Sequence, residues 1–440
     1  MTRTARDAQN GKAQTKKRRK RRRGRKVFAR DTLGDIQKAT QLDAANGQMA
    51  SSSDARVDAR MVLETQGAAT ETLEAAGVDR TGAREGPGEH SPNAPSSARS
   101  GRAGDAPVYA ALDLGTNNCR LLVAIPGKPG QFRVIDAFSR IVRLGEGLSA
   151  SGRLGDAAMD RAVDALKVCA DKLRSRQVRK ARLIATEACR SADNGYEFLK
   201  RVQAEAGLDL EIIDRKTEAR LAVSGCGSLV ERDTDGVVLF DIGGGSSEIA
   251  LIDVSRQRTP RLANHIVSWT SLPVGVVSLA ERFGGRDVSP AVFEAMVEDV
   301  AAMLARFEGR TRLSHLGKDA RFYLLGTSGT VTTLAGVHLG LERYDRRRVD
   351  GLWMDNANVD AMIAKLLGWG FEERMANPCI GADRADLVLA GCAILEAIRR
   401  YWPSERLRVA DRGLREGMLS ELMADDGAWR RNRRRGAVLR

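Results

Sequence analysis

Two short segments carry the residue types that phosphate chemistry needs. DLGTNN (113–118) and DIGGGS (241–246) each follow an apolar run, and each sets a carboxylate, Asp113 or Asp241, just before a turn rich in Gly, hydroxyl or amide groups. Glycine lets successive backbone N–H groups converge, and such a nest binds phosphate oxygens. A carboxylate beside a phosphate nest repels the ligand unless a hard cation lies between them. Mg²⁺ suits that place, since it takes one or two carboxylates and keeps several waters. A third turn, Gly326–Thr330 in LGTSGT, opens a helical pattern, and helix N-termini receive phosphate. One such turn is weak evidence; two matched turns and a third are much stronger.

The elements that must position these turns are legible from periodicity. VYAALD, CRLLVAI and Gln131–Leu144 read as three strands. A helix over Asp156–Arg176, the strand ARLIAT, a helix over Asn194–Ala206, the strand LEIID and a helix over Thr217–Leu229 follow. The opening pattern then recurs: VVLFDIGGGSSEIALIDV is again strand, turn and strand, with a third strand over Leu262–Ser271. Helices over Val276–Phe283 and Pro290–Phe307, the strand RFYLLG and a mostly helical 351–424 containing the strand LRVAD complete the chain. The sum is an α/β protein of two related halves, 106–232 and 233–425, each a mixed sheet covered by helices.

The 440 residues carry a net charge of +14, but the excess lies in the tails. Residues 1–105 hold a net +8 and 430–440 a net +6, so the body between them is neutral. The first 105 residues read as a disordered basic arm, with ten cations among the eleven residues 16–26 and room for one short amphipathic helix near Val57–Leu73. Residues 426–440 read as an Arg-rich tail. Such arms could clamp a polyanion, RNA or a phosphate polymer, by counterion release. No run of apolar residues is long enough for a membrane span, and no apolar segment after the basic run marks a secretory leader. The six cysteines lie scattered without C-x-x-C spacing, which fits core filling in a reducing, cytoplasmic setting. His90, His265, His315 and His338 are isolated and read as structural.

DLGTNNCR, IATEACRSADN, RKTEARL, DIGGGSSE, LPVGVVSLAERF, LGTSGT and VADRGLREGML, in this order, resemble the exopolyphosphatase and guanosine pentaphosphate phosphohydrolase family over residues 108–424. The resemblance implies two ribonuclease-H-like domains of the actin-like and sugar-kinase-like superfamily, with the site in the cleft between them. It implies an Mg²⁺-dependent hydrolase that releases terminal orthophosphate from polyphosphate, from guanosine pentaphosphate, or from both, as in a stringent response. By the same resemblance Glu218 activates or orients the attacking water, Arg190 grips phosphate, and Asp241 and Glu248 serve the metal and the water, with Asp113 as a further metal ligand. Asp113, Gly115, Thr116, Asn117 and Asn118 would form the first phosphate loop, Gly243, Gly244, Gly245 and Ser246 the second, and Gly326, Ser328 and Gly329 the third. Family members often pair, which implies a homodimer.

By composition alone, Glu218 is a surface glutamate between Arg215 and Arg220, and Arg190 an ordinary loop arginine. The first loop departs from the family in reading GTNN where Ser commonly follows Asn, and Lys-Thr precedes Glu218 where Gly or Asn with an acid is common. The chain ends soon after LREGML, as a short, two-domain form. Two other readings stand beside the hydrolase: an ATP-dependent kinase or ATPase, for which there is little room for a substrate subdomain, and a non-catalytic alarmone-binding or RNA-binding regulator. The basic tails lean the choice of substrate toward the polymer.

Overall fold

Strand β1 (Tyr109–Leu114) is apolar at every position but Asp113 because both of its faces are covered: Ala110, Leu112 and Leu114 enter one core, Tyr109 and Ala111 another. The computed structural model describes residues 106–317 and 319–429, which all fall within one compact unit. The basic arm 1–105, the helix expected near Val57–Leu73 and the arginines from 430 onward lie outside the described residues.

β1 is joined by β2 (Asn118–Pro126), β3 (Phe132–Ile141), β4 (Lys180–Ala185) and β5 (Glu211–Ile212) in a sheet of order β3-β2-β1-β4-β5. Helices α1 (Leu148–Ser151), α2 (Asp156–Ser175), α3 (Glu187–Ser191), α4 (Gly195–Ala206) and α5 (Arg215–Cys226) belong to the same stretch of chain. The second sheet contains β6 (Gly236–Ile242), β7 (Ser247–Asp253), β8 (Ile266–Leu272), β9 (Phe322–Thr327), β10 (Trp353–Asp355) and β11 (Arg406–Ala410), in the order β10-β11-β9-β6-β7-β8. The helices of this later stretch of chain are α6 (Val276–Phe283), α7 (Pro290–Ala305), α8 (Gly329–His338), α9 (Arg346–Val349), α10 (Asn356–Gly368), α11 (Phe371–Ala376), α12 (Val388–Tyr401) and α13 (Leu414–Asp425).

The expected duplication is written in the pairing. β1 runs antiparallel to β2 and parallel to β4, and β6 runs antiparallel to β7 and parallel to β9. β3-β2-β1-β4-β5 and β8-β7-β6-β9-β11 therefore share one topology, with β10 added antiparallel at an edge. The fold is α/β with two ribonuclease-H-like sheets. Local details differ from the sequence reading. LEIID pairs over only two residues, the strand expected from Leu262 begins at Ile266 after a 3₁₀ turn, and the short helix α3 was not expected from TEACRS.

The expected boundary at 425 assigns α13 to the second half, yet this helix packs on the first sheet. Met418, Leu419 and Met423 share a core with Tyr109, Ala111, Leu122 and Ile184. The packing runs on into the segment expected to begin the tail. Asp426 accepts from the Tyr109 hydroxyl at 2.6 Å and pairs with Lys180 at 2.8 Å, Ala428 is buried, and the Trp429 indole donates to the Gln131 carbonyl.

α5 lies between two cores, sending Leu221 toward the first sheet and Ala222, Val223 and Cys226 toward the second. It meets α13 backbone to backbone. A Cβ on Gly417 would lie 2.0 Å from the Leu221 carbonyl oxygen, and one on Gly225 would lie 1.9 Å from that of Gly413. Only glycine allows this approach, and it fixes the axial position of α5.

Candidate active site

The turns after β1 and β6 are built by one device. Gly115 N–H donates to Asn118 O at 2.9 Å, and Gly243 N–H to Ser246 O at 3.0 Å, closing equivalent turns. The carbonyls of Thr116 and Asn117 then accept from Gly145, Val142 and Arg143, just past β3. Likewise the carbonyls of Gly243 and Gly244 accept from Val276 and Val277, just past β8. In a trans peptide the N–H points opposite its carbonyl. Capturing these carbonyls turns the amides of Asn117, Asn118, Gly244 and Gly245 the other way, as an anion nest requires. The two turns touch: Cβ atoms on Gly244 and Gly245 would lie within 3 Å of Thr116 side-chain atoms.

Contacts between the halves close the cleft on this side. Arg143 forms a two-point pair with Asp386, at 3.0 and 3.1 Å, and Glu281 accepts from Gly147 N–H and the Ser149 hydroxyl.

Carboxylates concentrate where the turns meet. Asp113 and Asp241 occupy the same position in the two halves, but their cross-strand partners differ: Arg120 faces Asp113, whereas Glu248 faces Asp241. Like charges directly opposite one another are destabilising, and the protonation equilibria register this. Burial and Asp113 push Asp241 up to about 6. Burial and Asp241 push Glu248 up to about 7, despite hydroxyl hydrogen bonds from Ser246 and Ser271 at 2.8 Å. Asp113 is also raised by burial, with Arg120 and Arg415 opposing.

Glu218 stands in the first turn of α5, whose start is set by Asp214 capping Thr217 N–H at 2.6 Å. Burial, Glu248 and Asp113 together hold the Glu218 carboxyl well above the usual carboxylate range, against the pull of Arg190. Arg190 Nη2 donates to Glu218 at 3.0 Å and to Glu187 at 2.6 Å, Nε donates to Glu187 at 3.1 Å, and Nη1 donates to the Ile213 carbonyl at 2.6 Å. Of the five N–H groups of a guanidinium, one remains for a ligand. Arg190 is thus mainly a support of Glu218.

The third turn contributes Ser328 and Gly329. Ser328 sits at φ 79°, a left-handed conformation costly for a side chain and frequent at functional sites. The cleft is lined by Asn117, Asn118, Gly243, Gly244, Ser328 and Gly329 on the phosphate-loop side. Ile242, Val276, Leu387 and Val388 line it as well, with two guanidinium groups, Arg120 and Arg384. Gly326, expected in this turn, is instead buried within β9, where a side chain would strike Phe240 and Val331 at 2.6 Å. Its role is packing. Thr116 and Gly245 face one another at the seam, and the Ser246 hydroxyl is committed to Glu248.

The sequence profile of the Ppx/GppA phosphatase family matches residues 125–425. The chain belongs to this family. It is 28% identical over 323 residues to guanosine-5'-triphosphate,3'-diphosphate pyrophosphatase of Aeromonas hydrophila, an alignment covering 73% of this chain and 60% of that protein. The chain therefore matches less than two thirds of that relative's length. It is 28% identical over 299 residues to exopolyphosphatase 2 of Mycobacterium tuberculosis, covering 66% and 89% of the two chains. The crystal structure of the Aquifex aeolicus family member superposes with a TM-score of 0.58 at 28% identity, covering 73% of this chain and 98% of that one. No helix among the described residues is long and apolar enough to cross a membrane, and all six cysteines are free and buried.

Among the described residues no three acidic, His or Cys side chains converge to hold an ion. Asp113, Asp241 and Glu248 thus do not form a ready-made three-carboxylate site, and Glu248 Oε1 accepts from the Ser246 and Ser271 hydroxyls. A donor set for a hard cation is present all the same. Asp113 and Asp241 repel one another, and the buried amide oxygens of Asn117 and Asn118 have no donor among the described residues. Sequence reasoning did not single out Glu187, Arg120, Arg384 and Arg415. Arg120 could have been found, since it stands in the first half where Glu248 stands in the second. Arg384, in the turn before α12, and Arg415, in α13, come from distant segments that no spacing connects to the turns.

Proposed function

We propose that this chain is an Mg²⁺-dependent phosphoanhydride hydrolase that releases terminal orthophosphate. The observation that carries the reading is Glu218, a mostly buried carboxylate near enough to Asp113 and Glu248 to feel both charges and held by Arg190 Nη2 at 3.0 Å. A water aligned with the terminal phosphorus gives its proton to Glu218 as its oxygen bonds to phosphorus. The bridging P–O bond breaks, and its electron pair leaves with the shortened chain. The turned amides of both loops stabilise charge on the non-bridging oxygens. Asp113 and Asp241 would hold Mg²⁺, which supplies charge neutralisation to the phosphates when bound.

Two substrates fit this chemistry, and the apolar wall favours guanosine pentaphosphate. Ile242, Val276, Leu387 and Val388 offer nothing to an inorganic polyanion but suit the face of a base. The test is orthophosphate release, with Mg²⁺ and again with chelator, from long-chain polyphosphate, guanosine pentaphosphate and ATP. Release from the pentaphosphate that stops on chelation is expected. Silence on both phosphate substrates, with ATP turnover, would move the assignment to a kinase or ATPase.

The pH profile of Mg²⁺ affinity should rise between about 6 and 7, where burial and neighbouring carboxylates place Asp241 and Glu248 in the metal-free protein. Their raised values mean that the anionic forms are scarce below that window. A profile flat from pH 5.5 to 8 would contradict this.

A further inference from the structure

Glu187 opens α3 and is almost fully buried; it lies in the IATEACRSADN segment, but the resemblance gives it no role there. Its two oxygens collect contacts from three side chains: two from Arg190, two from Arg215 (2.8 and 3.3 Å) and one from the Ser191 hydroxyl at 2.5 Å. Its Cγ lies 3.2 Å from where a Cβ on Gly245 would be, at the seam of the two phosphate turns. A guanidinium and a carboxylate left to themselves form a two-point pair. Arg190 and Glu218 do not, sharing only one contact, because Glu187 and the Ile213 carbonyl hold the other edges of the guanidinium.

We infer that Glu187 is a positioning residue of this site, holding Arg190 so that it touches Glu218 at one point and keeps an N–H for substrate phosphate. The inference rests on the reading of Glu218 and Arg190 as the working pair. The charges support it. Glu187, Arg190, Arg215 and Glu218 sum to zero, and neutralising Glu187 leaves one cation in excess. Arg190 is then free to swing onto Glu218 as a full ion pair, which takes the guanidinium from the phosphate and blunts the base.

A double-mutant cycle tests this with Glu187→Gln and Arg190→Gln, alone and together, on guanosine pentaphosphate and polyphosphate with Mg²⁺. The amide of Gln carries no charge and has one acceptor oxygen where Glu187 has two, so it cannot keep all five contacts. Glu187→Gln should raise KM roughly tenfold and lower kcat roughly tenfold, yet add less than twofold in the Arg190→Gln background. A purely structural role would lower the active fraction, hence kcat alone, and its effect would multiply with that of Arg190→Gln. Either result overturns the inference. If Glu187→Gln does not fold, the same cycle is run in an Arg215→Gln background, where the charges again balance. If the wild type releases orthophosphate from neither substrate, the hydrolase reading fails by itself. The cycle is then read as calorimetric affinity for Mg²⁺-tripolyphosphate, where coupling sustains the positioning role and additivity removes it.

Discussion

Glu218→Gln is expected to reduce orthophosphate release by about 10³-fold, within the range for loss of a general base, while substrate affinity changes less than twofold. Gln keeps the shape of Glu and can still accept from Arg190 Nη2, so the network around Glu187 and Ile213 stays in place. What disappears is the proton acceptor. The same substitution has a signature in stability. Burial, Glu248 and Asp113 raise the Glu218 pKa in the folded state, so folding retains a proton that the unfolded chain gives up. That contribution is full at low pH and is lost as pH climbs from the ordinary carboxylate range toward the raised value. Gln does not ionise, so the variant should melt above the wild type at pH 8 and level with it at pH 4. Retained turnover, or a lower melting temperature at pH 8, would remove Glu218 from its assigned role.

A second large effect is expected at the contact between α5 and α13. Gly417→Ala puts a methyl group 2.0 Å from the Leu221 carbonyl oxygen, and a backbone oxygen cannot step aside without moving α5. Forced overpacking costs about 1–3 kcal/mol, which should lower the melting temperature by roughly 5 °C. Because α5 carries Glu218 one turn before Leu221, activity should fall further than stability explains, by about 10²-fold, as misplacement of a catalytic group by about 1 Å can do. The check is kcat measured well below the variant's melting temperature. Wild-type kcat there would mean that α5 does not sense its contact with α13.

Much of this was legible in the chain because phosphate turns and central strands use residues with local meaning. DLGTNN and DIGGGS lie between buried strands, and the matched patterns foretold two sheets of one topology. What stayed hidden depends on contacts between distant segments. Nothing local distinguishes Glu187 from a surface acid, since its burial comes from Arg190, Arg215 and the turn at Gly245. Gly326 looked like part of a nest because Gly-Thr-Ser-Gly is a nest composition, but its neighbour across the pairing is Phe240, whose ring needs the space. The placement of α13 escaped for a related reason: its apolar face suits either sheet, and only the glycine pair and the anchor at Asp426 select the first.

That return of α13 has a consequence for how the molecule is assembled. The Tyr109 hydroxyl bonds Asp426, 317 residues away, so the whole second sheet lies in the chain between the first sheet and the helix that covers it. A chain emerging from the ribosome can pair β1 through β5 early, but the face bearing Tyr109, Ala111 and Ile184 has only Ile213 and, on α5, Leu221 against it until α13 arrives. Contacts of such sequence separation make folding slow. The sheet that is synthesised first is therefore completed last, and while residues 227–413 are being made its partly covered face is open to chaperones and to other nascent chains.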